Sequence, residues 1–128
     1  MKKKILVIDD EPNIRRLLGF NLKEKFDVDL AENGDEALNF LLKDAAPDLI
    51  ISDVTMPKLD GYQFIETVKQ HGRLKNIPVI FLTAKSQSID RIKGLKLGAI
   101  DYIVKPFNPE EIVIRVENIL MASAPTVN

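Results

Sequence analysis

The feature that most constrains this chain is a short apolar run that recurs and each time stops at a polar residue. Ile5-Leu6-Val7-Ile8 stops at Asp9-Asp10, Leu49-Ile50-Ile51 stops at Ser52-Asp53, and Val79-Ile80-Phe81-Leu82 stops at Thr83. A further run, Ile100 to Val104, ends in Lys105-Pro106. Runs this short and this rich in β-branched residues have no polar face, which is the pattern of strands covered on both sides. Val28-Asp29-Leu30-Ala31 alternates instead and reads as an edge strand.

Between the runs the period changes to that of a helix. Pro12 opens a segment with Ile14, Leu17, Leu18 and Leu22 on one face. Asn33-Gly34 marks a turn, and Ala37, Leu38, Leu41 and Leu42 form the next stripe. Asp60-Gly61 opens a helix with Phe64, Ile65 and Val68 inward. A helix capped by Ser86 or Ser88 reaches about Leu97, with Gly98 as the residue that follows its end. Asn108 caps the last helix, with Pro109 at its first position and Ile112, Val113, Val116, Ile119 and Leu120 inward. Five β-α units with short connections make an α/β fold, and right-handed crossovers make its parallel sheet doubly wound. One domain is expected over residues 1–122, with a short flexible tail over 123–128.

Composition narrows the function. With 128 residues the chain is one domain long, and 18 Lys+Arg against 19 Asp+Glu leave a net charge of −1. No basic field attracts a nucleic-acid backbone, so direct nucleic-acid binding is not expected. The chain has no cysteine and one histidine, His71, which excludes thiolate zinc sites and a Cys nucleophile and suits a reducing cytoplasm. The apolar run after Lys2-Lys3-Lys4 is too short for a secretory or membrane segment, so a soluble cytoplasmic protein is expected. His71 lies where a helix ends and reads as a solvated residue.

The strand ends carry the chemistry. In the flavodoxin-like strand order 2-1-3-4-5, strands one, three, four and five are contiguous, and their carboxyl ends meet in one cleft near the switch point. That cleft collects Asp9, Asp10, Asp53, Thr83 and Lys105. Polar residues after a buried strand are often only turn and cap residues. Taken together these are chemically complementary. Clustered carboxylates repel one another and call for a cation, and oxygen donors without His or Cys suit a hard ion such as Mg²⁺. A lysine and a hydroxyl beside that ion match an incoming phosphoryl group. Asp53 is then a carboxylate nucleophile forming an acyl phosphate.

The same residues resemble the receiver domain of two-component response regulators, the CheY-like proteins, from Lys4 to about Met121. The likeness rests on Asp9-Asp10, on the segment from Asp53 through Met56-Pro57 to Asp60-Gly61, on Thr83-Ala84 and on Lys105-Pro106-Phe107. It implies that Asp53 accepts phosphate from a phosphohistidine on a sensor histidine kinase or histidine phosphotransferase. It implies Mg²⁺ held by Asp9, Asp10, Asp53 and the main-chain carbonyl of Thr55, and a cis peptide before Pro106. It implies a switch in which Thr83 moves toward the phosphoryl group and Tyr102 rotates inward, reshaping the face made by the fourth helix, fifth strand and fifth helix. The chain would be a signalling domain rather than an enzyme, catalysing only its own phosphorylation and slow autodephosphorylation.

An interaction face is visible in the residues themselves. Ile114 and Met121 lie opposite the inward stripe of the last helix, and Ile92 and Leu95 neighbour each other on the fourth. The C-terminal third is similar to OmpR-type regulators, where residues matching Arg91, Asp101, Glu111 and Arg115 form salt bridges across a symmetric dimer. Here Ile100 stands where an acidic residue is usual. Expected partners are the kinase or phosphotransferase, a downstream protein or linked output domain, and a second copy of the chain. The alternative is a pseudo-receiver, the same fold used only as an interaction surface; the five filled site positions argue against it. A hydrolase of the haloacid dehalogenase type needs a second Asp two residues after the nucleophile, where this chain has Thr55.

Overall fold

The computed structural model describes residues 2–43 and 46–122; the expected tail over 123–128 lies outside the described residues. Five strands and five helices alternate: β1 (Lys4–Ile8), α1 (Pro12–Leu22), β2 (Asp27–Ala31), α2 (Gly34–Lys43), β3 (Leu49–Ser52), α3 (Gly61–Gln70), β4 (Val79–Thr83), α4 (Ser88–Lys96), β5 (Asp101–Val104) and α5 (Pro109–Ala122). The strands form one parallel sheet in the order β2-β1-β3-β4-β5. This is the doubly wound order expected from the sequence.

Each buried strand serves two cores because successive side chains point to opposite faces. Leu6, Ile8, Ile50, Val79, Phe81 and Tyr102 pack with residues of α2 and α3 on one side. Ile5, Val7, Leu49, Ile51, Ile80, Leu82 and Ile103 pack with residues of α1 and α5 on the other. Burying one such side chain contributes roughly 1.5–3 kcal/mol, so both layers hold the central strands. β2 has one neighbour, as expected of an edge strand, but its burial does not follow the sequence alternation: Leu30 is exposed and only Ala31 is buried.

Several local expectations are corrected. Leu17 and Leu42 are exposed, because α1 and α2 flank the edge of the sheet and bury only a narrow stripe: Leu18 and Leu22 on α1, Ala37 and Leu41 on α2. Neither Ser86 nor Ser88 caps α4; Gln87 is at the cap position and makes no side-chain cap bond. Asn33 is more than a turn residue, since its side-chain oxygen accepts from the Glu36 amide at 2.8 Å. Asn108 does cap α5, accepting from the Glu110 amide at 2.9 Å. Gly98 follows α4 at φ +111°, a conformation that favours glycine. No helix among the described residues is long and apolar enough to cross a membrane.

Candidate functional site

The carboxyl ends of β1, β3 and β5 converge because the sheet places β1 beside β3 and carries β5 one strand beyond β4. Backbone bonds set each functional residue. The Asp9 amide donates to the Ala31 carbonyl at 3.1 Å, the Asp53 amide to Ile8 at 2.9 Å, and the Lys105 amide to Thr83 at 2.8 Å. The ladder therefore runs past the last strand residues into the site.

The Lys105 Nζ lies 2.9 Å from Asp9 Oδ2, 2.9 Å from Asp53 Oδ2 and 3.4 Å from Glu11 Oε1. The side chains of Asp9 and Asp53 are only 1% and 6% exposed, and that of Lys105 12%. The second oxygen of each carboxylate accepts a backbone amide: Glu11 on Asp9 at 2.9 Å and Thr55 on Asp53 at 3.1 Å. Arg15 donates to the Asp9 carbonyl at 2.7 Å, bracing the turn from the other side. The Lys105–Pro106 peptide is cis, as the resemblance implied.

Electrostatically the cluster is out of balance. Asp9, Asp10, Glu11 and Asp53 bring ligand oxygens within 4.8 Å of one another, against one ammonium. Burial pushes the Asp9 carboxyl above its ordinary range; the Glu11 amide and Lys105 pull it back only in part, and the Asp53 charge adds to the rise. Burial alone would lower the Lys105 ammonium, but its bonds to Asp53 and Asp9 raise it above the usual lysine value. A cleft of about 240 Å³ opens beside the cluster, lined by Asp10, Glu11, Asp53, Thr55, Ala84 and Lys105. The donors are all oxygen and carry surplus negative charge, which fits a hard divalent cation such as Mg²⁺.

These observations bring Asp9, Asp10, Asp53, Thr55 and Lys105 to one place, in a fold built as the sequence predicts. The sequence matches the response regulator receiver domain over residues 5–117. The chain belongs to that family. This receiver domain is 48% identical over 124 residues to the transcriptional regulatory protein ResD of Bacillus subtilis, and 45% identical over 124 residues to that organism's alkaline phosphatase synthesis transcriptional regulatory protein PhoP. Each match covers 96% of this chain and 50% of the relative, so the chain spans about half the length of these curated relatives. The chemotaxis response regulator CheY4 of Vibrio cholerae superposes with a TM-score of 0.86 at 33% identity, covering 93% of this chain and 99% of that one.

The other expected residues of the receiver domain lie outside the cleft. Thr83 is fully buried at the end of β4, its hydroxyl accepting from the Lys85 amide at 3.3 Å, and Ala84 forms the cleft wall there. Tyr102 already lies inward, buried, with its hydroxyl donating to the Lys85 carbonyl at 3.0 Å. Ile92, Leu95 and Ile114 are exposed, as expected, on α4 and α5 beside β5. Within this one chain, Arg115 bonds to Asp101 at 2.6 Å and to Glu111 at 3.0 Å. Three of the four residues matched to a dimer interface are thus paired with one another here.

Sequence reasoning missed Glu11, Arg15 and Tyr62. Glu11 had a signal, since it extends Asp9-Asp10 into three consecutive acids. Arg15 had none, because its partner is a backbone carbonyl. Tyr62 directly follows Gly61 and read as an ordinary helix position.

Proposed function

We propose that this receiver domain is a phosphoacceptor. Asp53 takes a phosphoryl group from a phosphohistidine on a sensor histidine kinase or a histidine phosphotransferase. The observation that carries this is the Lys105 ammonium held 2.9 Å from both Asp9 and Asp53 beside an open cleft. A carboxylate oxygen of Asp53 attacks phosphorus, the new O–P bond replaces the P–N bond, and the electron pair leaves with the imidazole nitrogen. Asp9, Asp10, Asp53 and the Thr55 main-chain carbonyl would hold Mg²⁺, which when bound neutralises charge on the phosphoryl oxygens. Lys105 supplies a second positive charge, fixed in place before transfer begins. The Thr83 hydroxyl, at the adjoining strand end, donates to a phosphoryl oxygen and turns away from Lys85 to do so.

The response is carried by the face made of α4, β5 and α5. Exposed Ile92, Leu95 and Ile114, with Arg91, Asp101, Glu111 and Arg115 around them, suit a downstream protein or a second copy of the chain. Because the matched relatives are transcription regulators of about twice this length, a linked output domain is one such partner.

The test is incubation with Mg²⁺ and acetyl phosphate beside an Asp53→Asn control, read by intact mass and size exclusion. One added phosphoryl group that needs both Mg²⁺ and Asp53 is expected. A shift to dimer on phosphorylation would assign the face to self-association, and no shift would assign it to a different partner. No mass gain together with no beryllofluoride binding would overturn the phosphoacceptor function.

A further inference from the structure

The helix with the most exposed apolar residues is also the one least anchored to the core. Of α4 only Gly94 is buried, and a Cβ there would lie 3.0 Å from both Phe81 and Tyr102. Beneath it three rings pack edge to face. Tyr62 and Phe81 have centroids 5.7 Å apart at 81°, and Phe81 and Tyr102 are 6.1 Å apart at 70°. Both outer rings end in hydroxyls that reach the entry of α4. Tyr102 donates to the Lys85 carbonyl and Tyr62 to the Asp90 carbonyl, each at 3.0 Å. Lys93 adds its ammonium 4.6 Å over the Tyr62 ring. Burial, and then the nearby Tyr62 hydroxyl, hold the Tyr102 phenol above its ordinary range, so it stays a donor.

What lies behind Tyr62 distinguishes it from Tyr102. Tyr62 directly follows Gly61, whose amide donates to the Val54 carbonyl at 2.7 Å. A Cβ on Gly61 would lie 2.4 Å from the Asp53 carbonyl oxygen and 2.8 Å from the Val54 Cα, so the two backbones are in direct contact. The Asp60–Gln63 capping box locks this first turn of α3. A displacement of the Asp53 backbone is therefore passed to Tyr62 through one residue.

We propose that Tyr62 is a positioning residue that ties α4 to the Asp53 backbone, giving the site a second connection to its output face beside Thr83 and Tyr102. The clamp on α4 stands on the geometry alone; its use in signalling rests on the phosphoacceptor function proposed above.

The test compares the native chain with Tyr62→Phe, which keeps the ring and removes the hydroxyl. Hydrogen exchange is followed in Mg²⁺ alone, and affinities for Mg²⁺ and for beryllofluoride, a phosphoryl mimic, are measured separately. In Mg²⁺ alone, α4 amides of Tyr62→Phe are expected to exchange about five-fold faster, the effect of one hydrogen bond near 1 kcal/mol, with β1, β3 and α5 unchanged. Beryllofluoride affinity is expected to rise by up to about the same factor, because the lost bond holds α4 in the unliganded chain and coupling is reciprocal, with Mg²⁺ affinity unaltered. A packing role alone would leave the beryllofluoride affinity where it was. Unchanged α4 exchange overturns the clamp, and faster exchange with native beryllofluoride affinity overturns the connection to Asp53. If the native chain binds no beryllofluoride, the phosphoacceptor function fails and the signalling use with it, while the α4 exchange rates alone decide the clamp.

Discussion

The carboxyl end of the sheet and the face made by α4, β5 and α5 are built in opposite ways. At the carboxyl end Asp9, Asp53 and Lys105 are each held several times over. Asp9 is bonded through its amide, its carbonyl and both carboxylate oxygens. On the face, α4 buries one glycine and is tied by the Tyr62 hydroxyl at Asp90, with the Tyr102 hydroxyl holding the loop before it at Lys85. A rigid site beside a lightly held helix means that a small rearrangement at Asp53 meets little resistance at α4. Elements that move in switching come from the weakly anchored parts of a fold, and α4 fits that description.

Substitutions can break this comparison at either end. The largest effect is expected at Gly61. Ala there places a methyl against the Asp53 and Val54 backbone, where nothing flexible can yield, and costs about 3 kcal/mol. Urea unfolding should show that loss, and the intact-mass assay should show a parallel loss of phosphoryl uptake. A change at Gly61 that left both intact would mean the site is not as tightly held as its contacts say.

An intermediate effect of opposite sign is expected at Asp9. Its carboxyl is raised, so folding favours the protonated form. The stability this contributes is fully present below the unfolded pKa and is lost as pH rises through the folded one. Asp9→Asn should therefore match the native protein in acid and become more stable than it toward neutral pH, by about 1 kcal/mol in metal-free buffer. Chemical denaturation at several pH values checks the sign. The same variant should lose most of the stabilisation that Mg²⁺ confers on the native chain, since one proposed ligand is gone.

The smallest effect on stability is expected on the face. Ile114 is 49% exposed, so Ile114→Ala should cost no more than about 1 kcal/mol. Phosphoryl uptake should be native, while any phosphorylation-dependent dimer should weaken at least ten-fold by size exclusion or ultracentrifugation. A large stability loss here would contradict the lightly built face.

The fold was legible because buried strands and amphipathic helices write different periods into the chain. The runs at Ile5, Leu49 and Val79 marked the strands, and the stops at Asp53 and Lys105 marked the cleft once the flavodoxin-like order was assumed, whereas Thr83 lies buried beside the cleft and Ala84 lines it. The edge helices were read less well. Leu17 and Leu42 fit the helical period yet face solvent, because a helix over the sheet edge has less to cover. The capping of α4 by serine also failed. No side-chain cap forms there; the tyrosine hydroxyls bond instead to the carbonyls of Lys85, before the helix, and Asp90, in its first turn.

The sequence by itself determined which groups stand at the strand ends, since β-α alternation forces polar residues there and parallel strands bring those ends together. It also determined the oxygen-only character of the site, through the absence of cysteine and the single histidine. Only the tertiary structure decided that Lys105 reaches Glu11, that Arg15 braces Asp9, that Arg115 reaches Asp101 on β5, and that Tyr62 reaches α4. Each of these depends on a contact with a backbone carbonyl or with a residue from another element. Backbone groups are identical at nearly every position, so no residue pattern marks which one will be met. That information enters only when packing sets the distances.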